Sequence, residues 1–200
     1  MAPESGKSSS NASMKSLILG GLEGSGGSVG GLGGNIQFWT KGDNANGVAI
    51  ERMRIDSSGR VTKPNQPAFL AYSTGVNVSN GWNNLSSSMT TEAYDIGGNY
   101  GTLIAGRFVA PVAGRYLFYF GGWGNGSTVD ARYGVSATVN GGPQYYIGGG
   151  NYSLVDTPLS GYSVIHNLSV YDYVELSYFS AIANTWGGGH YVYWGGYLLG

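Results

Sequence analysis

The chain has 200 residues, of which 42% are hydrophobic, 14% aromatic and only 10% charged; it carries a formal net charge of -1, 37 glycines and no cysteine. That composition belongs to a folded chain, but the glycine content is too high for helices of ordinary length, and without cysteine there is neither a disulfide framework nor a thiolate metal site. The near-neutral charge supplies no basic field for nucleic acid, and no apolar run approaches the ~20 residues of a bilayer span, so neither nucleic-acid binding nor membrane insertion is expected.

In chain order, residues 1–16 are small, polar and serine-rich and bury too little apolar area to order themselves; they read as a flexible or anchoring segment. Gly6-Lys7-Ser8 lacks the upstream glycine and the preceding strand of a phosphate-binding loop and is a solvated turn. Residues 17–34 scatter Leu17, Leu19, Leu22, Val29 and Leu32 among glycines, a glycine-rich stalk in which Leu17-Ile18-Leu19 is too short for a secretory-signal core. Residues 35–65 form a β-hairpin segment: Ile36 to Thr40, a turn rich in Gly, Asp and Asn, then Val48 to Asp56, where Ile50, Arg52 and Arg54 alternate with Glu51, Met53 and Ile55. A sheet one layer thick fits this pattern, and it needs partners.

Composition changes near Pro64 to Pro67. Up to Asn65 the aromatic residues are Phe38 and Trp39; beyond it lie all 16 tyrosines. Residues 66–200 are therefore a separate head. Within it, Tyr116, Phe118 and Phe120 alternate onto one face of a strand that follows a corner at Val109-Ala110-Pro111 closed by Gly114, and Trp194 to Leu199 forms an aromatic closing strand. The expected class is all-β.

Two resemblances sharpen this. Glu51-Arg52-Met53-Arg54-Ile55-Asp56-Ser57-Ser58-Gly59 resembles a phrase of bacteriophage tail-fibre and appendage proteins, in which a short β-hairpin feeds a trimeric shaft or head. Pro67 to Leu199 resembles the complement-q-type head, a tumour-necrosis-factor-like jelly roll. The match lies in Pro67-Ala68-Phe69, Tyr94-Asp95, Gly106-Arg107-Phe108 with Pro111, Gly114, Tyr116 and Phe118, then Asn140-Gly141, Leu168 to Val174, and Trp194 to Leu199. Tyr171 stands where that family has glycine, and the collagen-like stalk of animal members is missing. The resemblance implies a ten-stranded jelly-roll head and a homotrimer whose interface would include Tyr116, Phe118, Tyr193 and Tyr197. The Glu51 to Gly59 resemblance implies a location on a virion surface, with the N-terminal region meeting other virion proteins.

No residue pattern indicates catalysis. His166 and His190 are far apart in sequence, with no general-base partner identified, and Asp95, Asp130, Asp156 and Glu175 are acids by type only. No cofactor or metal is assigned; calcium, which some complement-type heads hold, is the one candidate the resemblance offers, whereas isolated Asp95 and Asp130 read as turn formers. Binding is the strongest class. Loops mixing Tyr and Trp with Asn and Gly suit sugar or protein surfaces, and the candidate contacts are Trp82, Trp123, Tyr145, Tyr146, Tyr152 and Trp186. The expectation is a trimeric phage fibre head that binds a host-surface glycan or protein. An architectural capsid-decorating or collar fibre and a bacterial secreted or spore-surface head are the alternatives.

Overall fold

The computed structural model describes residues 16–23, 33–42, 47–73, 75–125, 132–144, 146–151, 156–182, 184–186 and 192–200. The chain divides into two compact units, residues 1–65 and 66–200.

The first unit is a four-stranded antiparallel sheet in the order β1 (Ser16–Glu23), β2 (Gly33–Thr40), β3 (Ile50–Ile55), β4 (Val61–Thr62). Residues 16–23, expected within a stalk, thus pair along their length with β2. Glycine does not prevent this, because Leu17, Ile18 and Leu19 hold the strand and Gly20 and Gly21 need only extended backbone. Cross-strand partners share a face, so Ile18, Phe38 and Met53 line up in one row and Ile36, Ile55 and Val61 in the next. That face is apolar, whereas Gln37, Arg54 and Thr62 stand on the other. The β3–β4 turn is closed by Asp56, whose Oδ1 accepts the backbone N–H groups of Ser58 and Arg60, with Gly59 at φ 78°.

Among the described residues the head has twelve strands in two sheets. Eight of them wrap as a rolled-up hairpin, first strand with last and inward from there: β5 (Ala68–Ser73) with β16 (Val192–Leu198), β9 (Arg107–Val109) with β14 (Tyr173–Ser180), β10 (Gly114–Asn125) with β13 (Asp156–Leu168), and β11 (Arg132–Val139) with β12 (Gly148–Asn151). All four pairs are antiparallel, which is the jelly-roll arrangement. The additional strands are β6 (Val76–Val78), β7 (Gly81–Asn84), β8 (Thr91–Ile96) and β15 (Asn184–Trp186), three to six residues each. The seven-stranded sheet has β5, β16 and β10 at its centre with β13 alongside β10; the five-stranded sheet has β11 and β14 at its centre.

Alternation fills the space between the sheets. Phe69, Ala71, Tyr116, Phe118, Phe120, Val192 and Trp194 point inward from the seven-stranded sheet to meet Phe108, Val135, Ala137, Val174, Leu176 and Tyr178. Phe69 is the hub. Its ring stacks on Tyr100 at 4.5 Å and on Phe108 at 5.1 Å, and meets Trp194 edge-on at 4.9 Å. The polar tips inside this cluster are satisfied: Trp194 Nε1–H donates to Tyr100 Oη at 3.0 Å, and Tyr100 O–H donates to the Met89 carbonyl. Burial raises the Tyr100 phenol, so it stays protonated and able to donate.

Tyr116 and Phe118, expected at a trimer interface, are 0% and 1% exposed within the single chain. They are core residues, because their strand turns the Tyr116-Phe118-Phe120 face toward the second sheet; the Tyr116 hydroxyl donates to the Val112 carbonyl at 2.8 Å across the corner. Tyr193 and Tyr197 lie on the opposite, solvent-facing side, 40% and 41% exposed. Tyr171, where glycine was the family expectation, has φ 71°, the left-handed region in which a side chain is strained. The turn around it is held by Asp172, which accepts from Asn140 Nδ2 and from the Ser169 N–H, both at 2.7 Å.

His166 joins the sheets at their edge. Its Nε2 lies 3.0 Å from the Ala137 carbonyl, which can only accept, so Nε2 carries the hydrogen. Burial disfavours the imidazolium and lowers the pKa from 6.5, the carbonyl offsetting this in part. A folded-state pKa below the unfolded one means that the unfolded chain binds more protons, so His166 contributes stability above about pH 6.5 that is lost as pH falls toward its folded-state pKa. Melting temperature should therefore fall between pH 7.5 and pH 5, above the range in which the carboxylates titrate, and His166→Gln should shrink that fall; an equal fall in wild type and variant would refute the assignment.

Candidate functional site

The outward face of the five-stranded sheet brings together residues remote in sequence. On β14 the inward series Val174, Leu176, Tyr178 leaves Glu175, Ser177 and Phe179 facing out, and β11 leaves Arg132, Gly134, Ser136 and Thr138 facing the same way. Strand β7 pairs beside β14, placing Trp82 opposite Phe179 and Asn84 opposite Ser177. Tyr146, just before β12, lies flat over Gly134, where any Cβ would occupy the same space as its ring.

The result is an aromatic cluster. Trp82 and Tyr146 have ring centroids 5.0 Å apart at 48°, Trp82 and Phe179 are 5.7 Å apart, and Tyr146 and Phe179 are 6.0 Å apart. Tyr146 remains 57% exposed. Beside it a cleft of about 450 Å³ runs along β11 and β12, lined by Arg132, Tyr133, Tyr146, Ile147, the three glycines Gly148 to Gly150, and Asn151. The glycines let β12 lie close against the rings of Tyr133 and Tyr162, whose hydroxyls are 3.1 Å apart.

Further along this face the chemistry becomes polar. Glu175 is buried, and its Oε1 accepts from Arg107 Nε at 2.8 Å and from Asn84 Nδ2 at 2.9 Å; Arg107 also sits 4.2 Å over the Tyr173 ring. A buried carboxylate with these partners orders the sheet surface. Thr138 Oγ1 donates to Ser177 Oγ at 3.3 Å and Ser136 Oγ lies 3.4 Å from Thr138, a small hydroxyl ladder between charged and aromatic ends. Asp95 closes a turn, accepting from the backbone of Asn99 at 3.1 Å and of Tyr100 at 2.9 Å.

Of the six aromatic residues expected in binding loops, the fold unites Trp82 and Tyr146. Tyr145 and Tyr152 lie outside the described residues, as do His190 and Asp130. The backbones of Trp123 and Trp186 belong to β10 and β15, opposite Pro158 and Val76, and their side chains are not among those described. Phe179 and Arg132 escaped the sequence reading; the alternation of Tyr178 with Phe179 is the signal that would have found the first.

The solvent-facing side of the seven-stranded sheet is a second aromatic surface. Its cross-strand rows are Tyr72 with Tyr193, then Tyr94, Leu70, Gly195 and Tyr119, then Ile96, Ala68, Tyr197, Leu117 and Ile165. Tyr193 lies over Gly121 and Tyr119 over Gly195. Tyr119 is raised by burial, then by its hydrogen bond to Tyr94 and by its neighbours Tyr193 and Tyr197, and stays neutral at physiological pH.

No family model matches the chain, and no curated protein is similar to it in sequence. Among solved structures, murine APRIL is similar with a TM-score of 0.49 at 13% identity, over 67% of this chain and 99% of that one. The globular domain of zebrafish complement 1qA protein gives 0.44 at 16% identity, over 68% and 98%. The PRD1 vertex protein P5 gives 0.47 at 13% identity, also over 68% and 98%. The strand pairing itself makes the head a jelly roll, the fold class implied by its resemblance to complement-type heads.

Gly134→Ala tests the aromatic cluster. The added methyl group should lift Tyr146 away from Trp82 and Phe179, visible as loss of ring contacts between Tyr146 and Trp82 in nuclear Overhauser spectra, while the head stays folded because Gly134 faces outward. Unchanged ring contacts would show that Tyr146 does not rest on Gly134.

Proposed function

We propose that this protein is a virion surface component, the trimeric head and proximal shaft of a phage fibre, whose head binds a glycan or protein on the host surface. The observation that carries the binding role is the Trp82–Tyr146–Phe179 cluster beside an open cleft. Tyr and Trp offer rigid, half-apolar contact area at little entropic cost, and sugar rings present apolar faces of matching size. A structural cluster would be expected to bury its rings; here Tyr146 is 57% exposed.

Trimerisation is supported by the tyrosine face of the seven-stranded sheet. Tyr94, Tyr193, Tyr197, Ile96 and Ile165 are each exposed on it, and a contiguous apolar face of this kind marks an interface. Assembly about a threefold axis would cover that face and leave the aromatic cluster, on the other sheet, open to a partner. The first unit points the same way, since its apolar face holds Ile18 at 68%, Ile36 at 45% and Val61 at 54% exposure and a single sheet layer is only marginally stable without partners. The phage context rests on the Glu51 to Gly59 phrase. In this reading the N-terminal region meets other virion proteins.

Light scattering at micromolar concentration should give three times the chain mass, and Tyr193→Glu with Tyr197→Glu should give folded monomers; a monomer mass for the wild type rules the trimer out. Labelled wild-type protein should bind host cells. Trp82→Ala and Tyr146→Ala should each weaken that binding about tenfold or more, in line with roughly 1–3 kcal/mol for a stacking aromatic. Equal binding by these variants would leave the receptor role without its basis.

A further inference from the structure

We infer that the cleft along β11 and β12 is a subsite for a carboxylate-bearing sugar, with Arg132 as the residue that reads the acid. This rests on the proposal that the Trp82–Tyr146–Phe179 face binds a glycan. Tyr146 joins the two: it touches Trp82 and Phe179 on one side and lines the cleft on the other.

The argument starts from charge. After Asn65 the chain has Arg107, Arg115 and Arg132 and no lysine, against Glu92, Asp95, Asp130, Asp156, Asp172 and Glu175. The head is therefore acidic overall and has no general attraction for anions. Arg107 is committed to Glu175, and Arg115 leaves β10 on the solvent-facing side of the other sheet. Arg132 is exposed at the cleft, and its guanidinium makes no hydrogen bond or ion pair among the described residues. An unpaired guanidinium offers a planar fork of donors matched to a carboxylate.

The surroundings suit a sugar. Asn151 is the cross-strand partner of Arg132, so its amide stands on the same face, able to donate to one hydroxyl and accept from another. Gly149 pairs with Gly134 in the next row, where the Tyr146 ring lies over the Gly134 backbone. The Tyr146 ring walls the cleft with apolar surface for a pyranose face. The volume of about 450 Å³ lies within the roughly 300–1,000 Å³ of small-ligand pockets and fits the end of an oligosaccharide.

The test uses the full-length protein, a galacturonic acid tetrasaccharide and its carboxyl-reduced neutral counterpart, with binding followed by calorimetry or saturation-transfer spectroscopy. The acidic probe should bind at least tenfold more tightly than the neutral one, and the difference should shrink as salt is raised, since the pair is exposed. Arg132→Gln should weaken the acidic probe about tenfold, the low end for a charge-assisted hydrogen bond, leave the neutral probe unchanged and leave the melting temperature unaltered. Lys63→Gln, which removes the same charge from an exposed position in the other unit, should have no effect. Equal binding of both probes, or an Arg132→Gln variant that behaves as wild type, overturns the carboxylate assignment while glycan binding stands. Binding of neither probe at millimolar concentration also overturns it, and the cell-binding results for Trp82→Ala and Tyr146→Ala then decide the glycan role separately.

Discussion

Everything in the head depends on the packing of Phe69 between the two sheets. Its strand belongs to one sheet, the Phe108 ring it stacks on belongs to the other, and Tyr100 and Trp194 close the remaining sides. Removing a buried phenyl ring from such a place costs on the order of 3–5 kcal/mol, a large part of the stability of a domain this size. The aromatic stack also sets the register of what lies outside it. With Phe69 and Trp194 facing in, Leu70, Tyr193 and Tyr197 must face out; with Tyr178 facing in, Phe179 must face out beside Trp82.

Much of the fold was legible for that reason. The alternation at Tyr116, Phe118 and Phe120 marks one strand face, and the corner at Pro111 and Gly114 separates β9 from β10. Alternation does not say which face is inside, however. Strand β10 carries Leu117 and Tyr119 on its other side, so both faces look like packing surfaces, and the face assigned to subunit contact proved to be the core. Only the partner strands decide, and they lie far along the chain.

The candidate site was less legible. Trp82 and Tyr146 are adjacent because β7 pairs with β14 and β14 with β11, long-range pairings that no local pattern encodes. Arg132 has no distinctive neighbours in sequence; its significance comes from making no hydrogen bond or ion pair among the described residues, where Arg107 is engaged by Glu175 and Arg115 lies on the other sheet. Tyr171 shows the opposite case: it stands where the resembled pattern has glycine, and its backbone takes the left-handed region that glycine adopts freely.

The placement of tyrosine over glycine recurs on the outward faces of both sheets: Tyr193 on Gly121, Tyr119 on Gly195 and Tyr146 on Gly134. Each absent side chain is a socket, and the ring across from it is the tile that fills the socket and levels the surface. Three of the 16 tyrosines thus pave the outward faces with aromatic surface. Such paving can be resurfaced one tile at a time: a single methyl group at a socket tips one ring outward and changes the contour a partner meets, without disturbing the layer beneath. A surface so built can change its contour through substitutions that leave the core untouched.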